Sequence, residues 1–133
     1  MTVAMWLLQQ AVYGRLNAST ALTSTLGAAV YDHVPAGARM PYVVVGETTA
    51  VARDTMGRTG RDVTMQIHVW SEYPGRKQIA EIQARVDTLL DRWAPGVSGW
   101  YGTQMLLEYS ETMRDPDGVT RHGVQRFRVH VHK

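Results

Sequence analysis

Between Val63 and Trp93 the spacing of apolar residues changes once, and abruptly. Val63, Met65, Ile67 and Val69 alternate with Thr64, Gln66, His68 and Trp70, the period of two that puts each set on its own face of a strand. After Ser71-Glu72-Tyr73-Pro74-Gly75, the apolar positions Ile79, Ile82, Val86, Leu89, Leu90 and Trp93 mark one side of a helix from about Arg76 to Arg92, ended by Pro95-Gly96. Strand and helix can then share one core.

The same reading extends along the chain. Met5, Leu8, Val12 and Leu16, widened by Ala4, Leu7 and Ala11, predict an amphipathic helix from Val3 to Leu16. A second short helix follows, with Ser19 or Thr20 as N-cap and Gly27 ending it in the left-handed conformation. Val30-Tyr31-Asp32 begins an extended stretch, and Pro35-Ala36-Gly37 interrupts it. Met40-Pro41-Tyr42-Val43-Val44-Val45-Gly46 has no polar alternation, which predicts a strand covered on both faces or at its centre. From Thr48 to Arg61 the pattern dissolves into a polar, glycine-bearing loop. The last two strands run from about Trp100 to Ser110, with Tyr101, Met105, Leu107 and Tyr109 inward, and from Val124 to His132, with Phe127, Val129 and Val131 inward. Asp115-Pro116-Asp117-Gly118 supplies the reversal between them. Matching their inward faces sets Glu108 opposite Arg126 as a cross-strand charge pair.

These elements predict an α+β fold in one domain over residues 1–133: an antiparallel sheet of about four strands, packed on one face by a long helix and an N-terminal helix. A length of 133 residues suits one core, and 44% hydrophobic with 20% charged residues is the composition of a folded protein. No apolar run is long enough to cross a bilayer, and Met1 to Leu8 makes a poor export signal, so the cytoplasm where it is made is the expected compartment.

The absence of cysteine excludes disulfides, thiolate metal sites and cysteine nucleophiles. A formal charge of +2 is far from the concentrated excess of most nucleic-acid binders. The cations are mainly arginine, with Lys77 and Lys133 the only lysines. Arginine is the cation favoured in desolvated interfaces, because its planar fork pairs with carboxylates.

Little in the sequence suggests catalysis. His130 and His132 point to the same face of a strand, near His68 or His122 across the sheet, but a metal site needs three or four converging ligands. They read as solvated or interface histidines, and no metal or cofactor is expected. Asp115 and Asp117 flank a proline in a turn, where aspartate bonds nearby amides. Ser98 in Gly96-Val97-Ser98-Gly99 lacks the spacing of a nucleophile elbow, and Gly57-Arg58-Thr59-Gly60 lacks a phosphate-loop lysine. No catalytic residue is nominated. The strongest basic feature is the outer face of the last strand, Arg126, Arg128, His130 and His132. Three readings fit it: a solvated face, a subunit interface pairing arginine with acidic groups, or a small nucleic-acid-binding module that Trp70 joins.

Taken in order, five segments resemble the tail terminator, or tail completion (tail-to-head joining), proteins of long-tailed bacteriophages and gene transfer agents. They are Leu8-Gln9-Gln10-Ala11-Val12-Tyr13; Val30-Tyr31-Asp32-His33-Val34-Pro35; Pro41-Tyr42-Val43-Val44-Val45-Gly46-Glu47; His68-Val69-Trp70-Ser71 with Gly75-Arg76; and Arg114-Asp115-Pro116-Asp117-Gly118 running into His122-Gly123. The resemblance covers nearly the whole chain and implies a subunit of a homohexameric ring. Such a ring caps the head-proximal end of the tail tube, stops its polymerisation, and joins it to the connector or stopper protein of the head. Genomic DNA passes through the lumen without sequence-specific binding, no reaction is catalysed, and the final location is the virion neck. Another neck component, such as a head-completion stopper, is the alternative; Trp70-Ser71 leading into the long helix favours the terminator.

The candidate assembly contacts are Arg53, Asp54, Met56, Arg58 and Arg61 in the loop, Arg114, Asp115 and Asp117 at the turn, and Arg126 and Arg128 on the last strand. The segment from Ala50 to Arg61 is expected to be mobile in the free subunit and ordered against a neighbour.

Overall fold

The computed structural model describes residues 2–133, with side chains from Ala4 onward. In chain order, α1 (Thr2–Asn17), a π-helical turn (Ala21–Thr25), β1 (Ala29–Tyr31), β2 (Tyr42–Ala52), β3 (Gly60–Ser71), α2 (Lys77–Leu90), β4 (Tyr101–Gly102), β5 (Leu106–Arg114) and β6 (Arg121–His132) form an α+β fold. The sheet has six strands in the order β1-β2-β3-β6-β4, with β5 also paired to β6.

This corrects the expected sheet of about four antiparallel strands. β1 is an extra strand that runs parallel to the start of β2, Ala29 opposite Tyr42. The short β4 and the longer β5 lie one after the other along β6, so the single strand expected from Trp100 to Ser110 is broken in two. Its second part continues to Arg114.

The central pair β3 and β6 is antiparallel and unbroken from Gly60 opposite His132 to Ser71 opposite Arg121. Every other residue of each strand faces the helix layer, in which α2 packs on β3 and β6 and α1 on β1 and β2. Val63, Met65, Ile67 and Val69 of β3 are buried with Phe127, Val129 and Val131 of β6, as their alternation predicts. Ala4, Leu8, Val12 and Leu16 of α1 recur every fourth position and are buried, as are Ile79, Ile82, Val86 and Leu90 of α2. All belong to one hydrophobic cluster. Each fully buried side chain of this size contributes about 1.5–3 kcal/mol.

Of the two placements expected for β2, cover on both faces is not observed, while its start does lie inside the sheet between β1 and β3. Val43 and Val45 are buried while Val44 is half-buried, and after Gly46 the strand is largely open. An irregularity between Val45 and Thr48 then changes which residues point inward, so Ala50 packs on the core while Val51 is exposed.

The helix ends have specific causes. Ser19 Oγ accepts from Leu22 N at 3.3 Å, and Gly27 closes the π-helical turn at φ 69°. α2 stops before Pro95-Gly96, because Arg92 adopts φ 63° and its amide donates to Met105 O at 2.6 Å. Met105 N in turn donates to Trp93 O at 2.8 Å, and Leu107 N to Asp91 Oδ1 at 2.9 Å. Backbone pairing with the approach to β5 ends the helix two residues before the expected limit of Arg92. Arg15 of α1 donates to Leu89 O and lies 4.8 Å over the Trp93 ring, tying the two helices together at the carbonyl end of α2.

Candidate assembly surfaces

With both helices on one side, the opposite side of the sheet is left uncovered, and the sequence-nominated residues fall into three patches along it and at its ends. The first is the β2–β3 hairpin. The segment expected as a loop is half strand, since β2 runs to Ala52 and β3 begins at Gly60. Arg53 N donates to Gly60 O at 2.9 Å, and Thr55 and Arg58 exchange backbone bonds at 3.0 and 2.9 Å. Polar residues and glycines hid this arm because its outer end packs against nothing that would impose an apolar face.

Arg53 Nε meets Asp62 Oδ2 at 2.6 Å, and Asp54 Oδ1 accepts from Gly60 N at 2.9 Å and from Arg61 at 3.0 Å. Four of the charges at its base are thus spent within the arm. Met56 at its tip is fully exposed, and Arg58 has no ion-pair partner among the described residues.

Asp62, which sequence reasoning did not nominate, anchors the arm to β6. Its second oxygen lies 2.8 Å from His130 Nδ1. The hydrogen bonds from Arg53 and then His130 hold its carboxyl below the ordinary range of an aspartate. Only the register pairing Asp62 with His130 could have revealed this contact.

The second patch is at the middle of the open face. Arg126 Nε bonds Glu108 Oε1 at 2.8 Å and its guanidinium lies 5.1 Å over the Tyr109 ring, while Arg128 lies 3.8 Å from the other oxygen of Glu108. The expected Glu108–Arg126 contact is present, but Tyr109 is the residue opposite Arg126, because β5 shifts register between Leu107 and Tyr109. For that reason Tyr109 is on the open face, not in the core where simple alternation puts it. Leu106, Met113 and Tyr101 are exposed large apolar residues of β5 and β4. The basic stripe is already partly engaged: Glu108 meets Arg126 and Arg128, and Asp62 bonds His130.

The third patch, at the opposite end of β3 and β6 from the arm, is the β5–β6 turn. Gly118 N donates to Asp115 O at 2.9 Å, with Gly118 at φ 77°. Asp117 accepts from Val119 N and Thr120 N, each at 2.8 Å, and from Thr120 Oγ1 at 2.7 Å. Those bonds, with Thr120 foremost, lower its pKa. Arg114 joins Arg76 and Arg121 around a cleft of about 420 Å³ beside the first turn of α2. Ser71, the residue after Trp70, is buried and structural. It accepts from Tyr73 N at 3.1 Å and donates to Gln78 Oε1 at 2.5 Å, fixing the strand-to-helix turn.

Four of the five histidines fall into two groups. His68 and His122 meet across β3 and β6, far along the strands from His130 and His132. Among the described residues no three His, Asp or Glu side chains converge as metal ligands, and no helix is long and apolar enough to cross a membrane.

The described residues thus present a sheet with two helices on one face, an outreaching hairpin, and an open face bearing arginines paired with Glu108. The sequence profile of the family described as tail completion protein gp17 matches residues 10–132, and the chain belongs to that family. It is 30% identical to the tail completion protein gp17 of Bacillus phage SPP1 over 91 residues, covering 68% of this chain and 67% of that one. The structure of SPP1 gp17 superposes with a TM-score of 0.62 at 26% identity, covering 96% of this chain and 90% of the other. A chain from the virion of a native gene transfer agent particle shares the fold at a TM-score of 0.90 and 24% identity, with 98% of each chain covered.

Proposed function

We propose that this chain is a structural subunit of a six-fold ring that caps the head-proximal end of a tail tube, stops tube growth and joins the tail to the head connector. The observation that carries this reading is the match to the tail completion family through residues 10–132. The shared fold with a chain of a gene transfer agent virion fits the same setting in a particle. A closed ring needs two different complementary surfaces on each subunit, and the arm and the helix-free face are separate surfaces with exposed apolar groups.

Termination then has a plain physical account. One face of the ring matches the end of the tube, and the other lacks the surface on which a further tube subunit adds. The subunit works by shape and charge and catalyses no reaction. Its near-neutral charge of +2 lets DNA pass through the lumen without strong attraction. It is made in the host cytoplasm and ends in the neck of the virion.

Negative-stain imaging of the purified protein with tail tubes tests this. Rings seated at one tube end are expected. Tails of normal length that join heads after deletion of the gene overturn it.

A further inference from the structure

On the outer side of α1, Trp6, Gln9, Gln10 and Tyr13 line a mainly apolar cleft of about 220 Å³ with Asp32 at its edge. Trp6 is 54% exposed there, a large indole left in water beside a hole. The Asp32 carboxylate accepts from Gln9 and has no ion-pair partner among the described residues. The arm tip presents the converse: a fully exposed Met56 and, two residues on, the unpaired Arg58.

We infer that the arm of one subunit seats Met56 in the Trp6–Tyr13 cleft of a second copy of this chain, with Arg58 meeting Asp32. Methionine is the side chain best able to fill an irregular apolar gap, and its sulfur packs favourably against aromatic edges. Charge complements shape, since the tip offers a cation and the cleft an anion.

The occupant is another copy, because the arm cannot reach its own cleft. Asp32 follows Tyr31, which pairs with Val44, and Met56 lies beyond Ala52. About 25 Å of strand separates those levels, and the arm is hydrogen-bonded back as far as Thr55 and Arg58. Knob and hole sit on different parts of one subunit, so each contact leaves a free knob and a free hole, as head-to-tail ring closure requires. The pairing rests on the ring reading above and specifies which surfaces meet.

The absence of cysteine makes the test clean. A Met56→Cys, Gln10→Cys double variant, oxidised after assembly on tail tubes and imaged in parallel, is expected to give a ladder of covalent oligomers beyond the dimer. Each single variant stops at monomer or dimer. Arg58→Glu in that background is expected to abolish the ladder, and adding Asp32→Arg to restore it. Rings on tube ends without a ladder overturn the pairing and leave the ring standing. Neither rings nor ladder overturns both.

Discussion

His68 and His122 share a hydrogen bond across β3 and β6, Nδ1 to Nε2 at 2.9 Å, and the Trp70 indole lies flat on His122 with 3.8 Å between ring centroids. Gly46 on β2 makes room for this group, since a Cβ there would meet His68 Cδ2 at 2.6 Å. Such a bond needs at least one neutral ring, with one nitrogen donating and the other accepting.

Burial lowers the pKa of both imidazoles. Glu47 partly offsets this for His68, while for His122 the charge of His68 adds to it and Asp115 and Glu111 oppose it. Since the folded pKa values lie below that of the unfolded chain, the unfolded state binds more protons in the interval between them. Stability is therefore complete above the unfolded value of 6.5 and falls as pH drops through it towards the folded pKa values. Melting temperatures measured from pH 8 to pH 5 should decline in that window, and the decline should shrink in His122→Gln. An equal decline in the variant would show that the pair is not its source.

Gly60 is where the arm joins the body of the sheet. An added Cβ would stand 2.5 Å from the Arg53 carbonyl oxygen, a backbone atom that cannot swing aside. Gly60→Ala is expected to cost about 1–3 kcal/mol, the usual range for overpacking. It should also raise hydrogen exchange at Arg53, whose amide donates to Gly60 O. Chemical denaturation and exchange mass spectrometry together measure both effects.

Asp117 is among the candidate assembly contacts, yet its carboxylate is occupied by Val119 and Thr120 of its own turn. Asp117→Ala should lower the stability of the isolated subunit, because the bonds to Val119 and Thr120 are lost. Its lowered pKa places the same loss in acid, as pH falls from above the ordinary value of 3.8 through the folded one. A variant as stable as the parent but defective in assembly would assign Asp117 to a partner instead.

The Arg126 to His132 stripe offers a direct test of nucleic-acid binding. Glu108 already meets both of its arginines, and Asp62 bonds His130, so few phosphate contacts remain. Fluorescence anisotropy with labelled duplex or single-stranded DNA should show binding lost by about 150 mM salt, as a short electrostatic contact requires. Retention at that salt would favour a nucleic-acid-binding module.

What could be read from the sequence followed how one-sided each element is. β3 and α2 each bury a single face, so Val63 to Val69 and Ile79 to Leu90 announced themselves by period. β1 is three residues long and parallel, too short for any alternation to register. The arm buries little, which leaves Thr48 to Arg61 looking like a loop. The break between Leu107 and Tyr109 inserts one residue and inverts every later inward assignment on β5. The hydrogen bond of Asp62 with His130, like the stacking of Trp70 on His122, depends on cross-strand register, which composition does not carry.

The two register breaks share a location that bears on self-association. Both lie on strands with a free side, β2 past Tyr31 and β5, while the central pair β3–β6 has none. A straight bare margin of backbone amides and carbonyls invites another strand to zip on, and an inserted residue twists and interrupts that margin. Subunits crowded beside identical copies are thereby steered away from indiscriminate backbone annealing, and their meeting is left to side chains that can tell one neighbour from another.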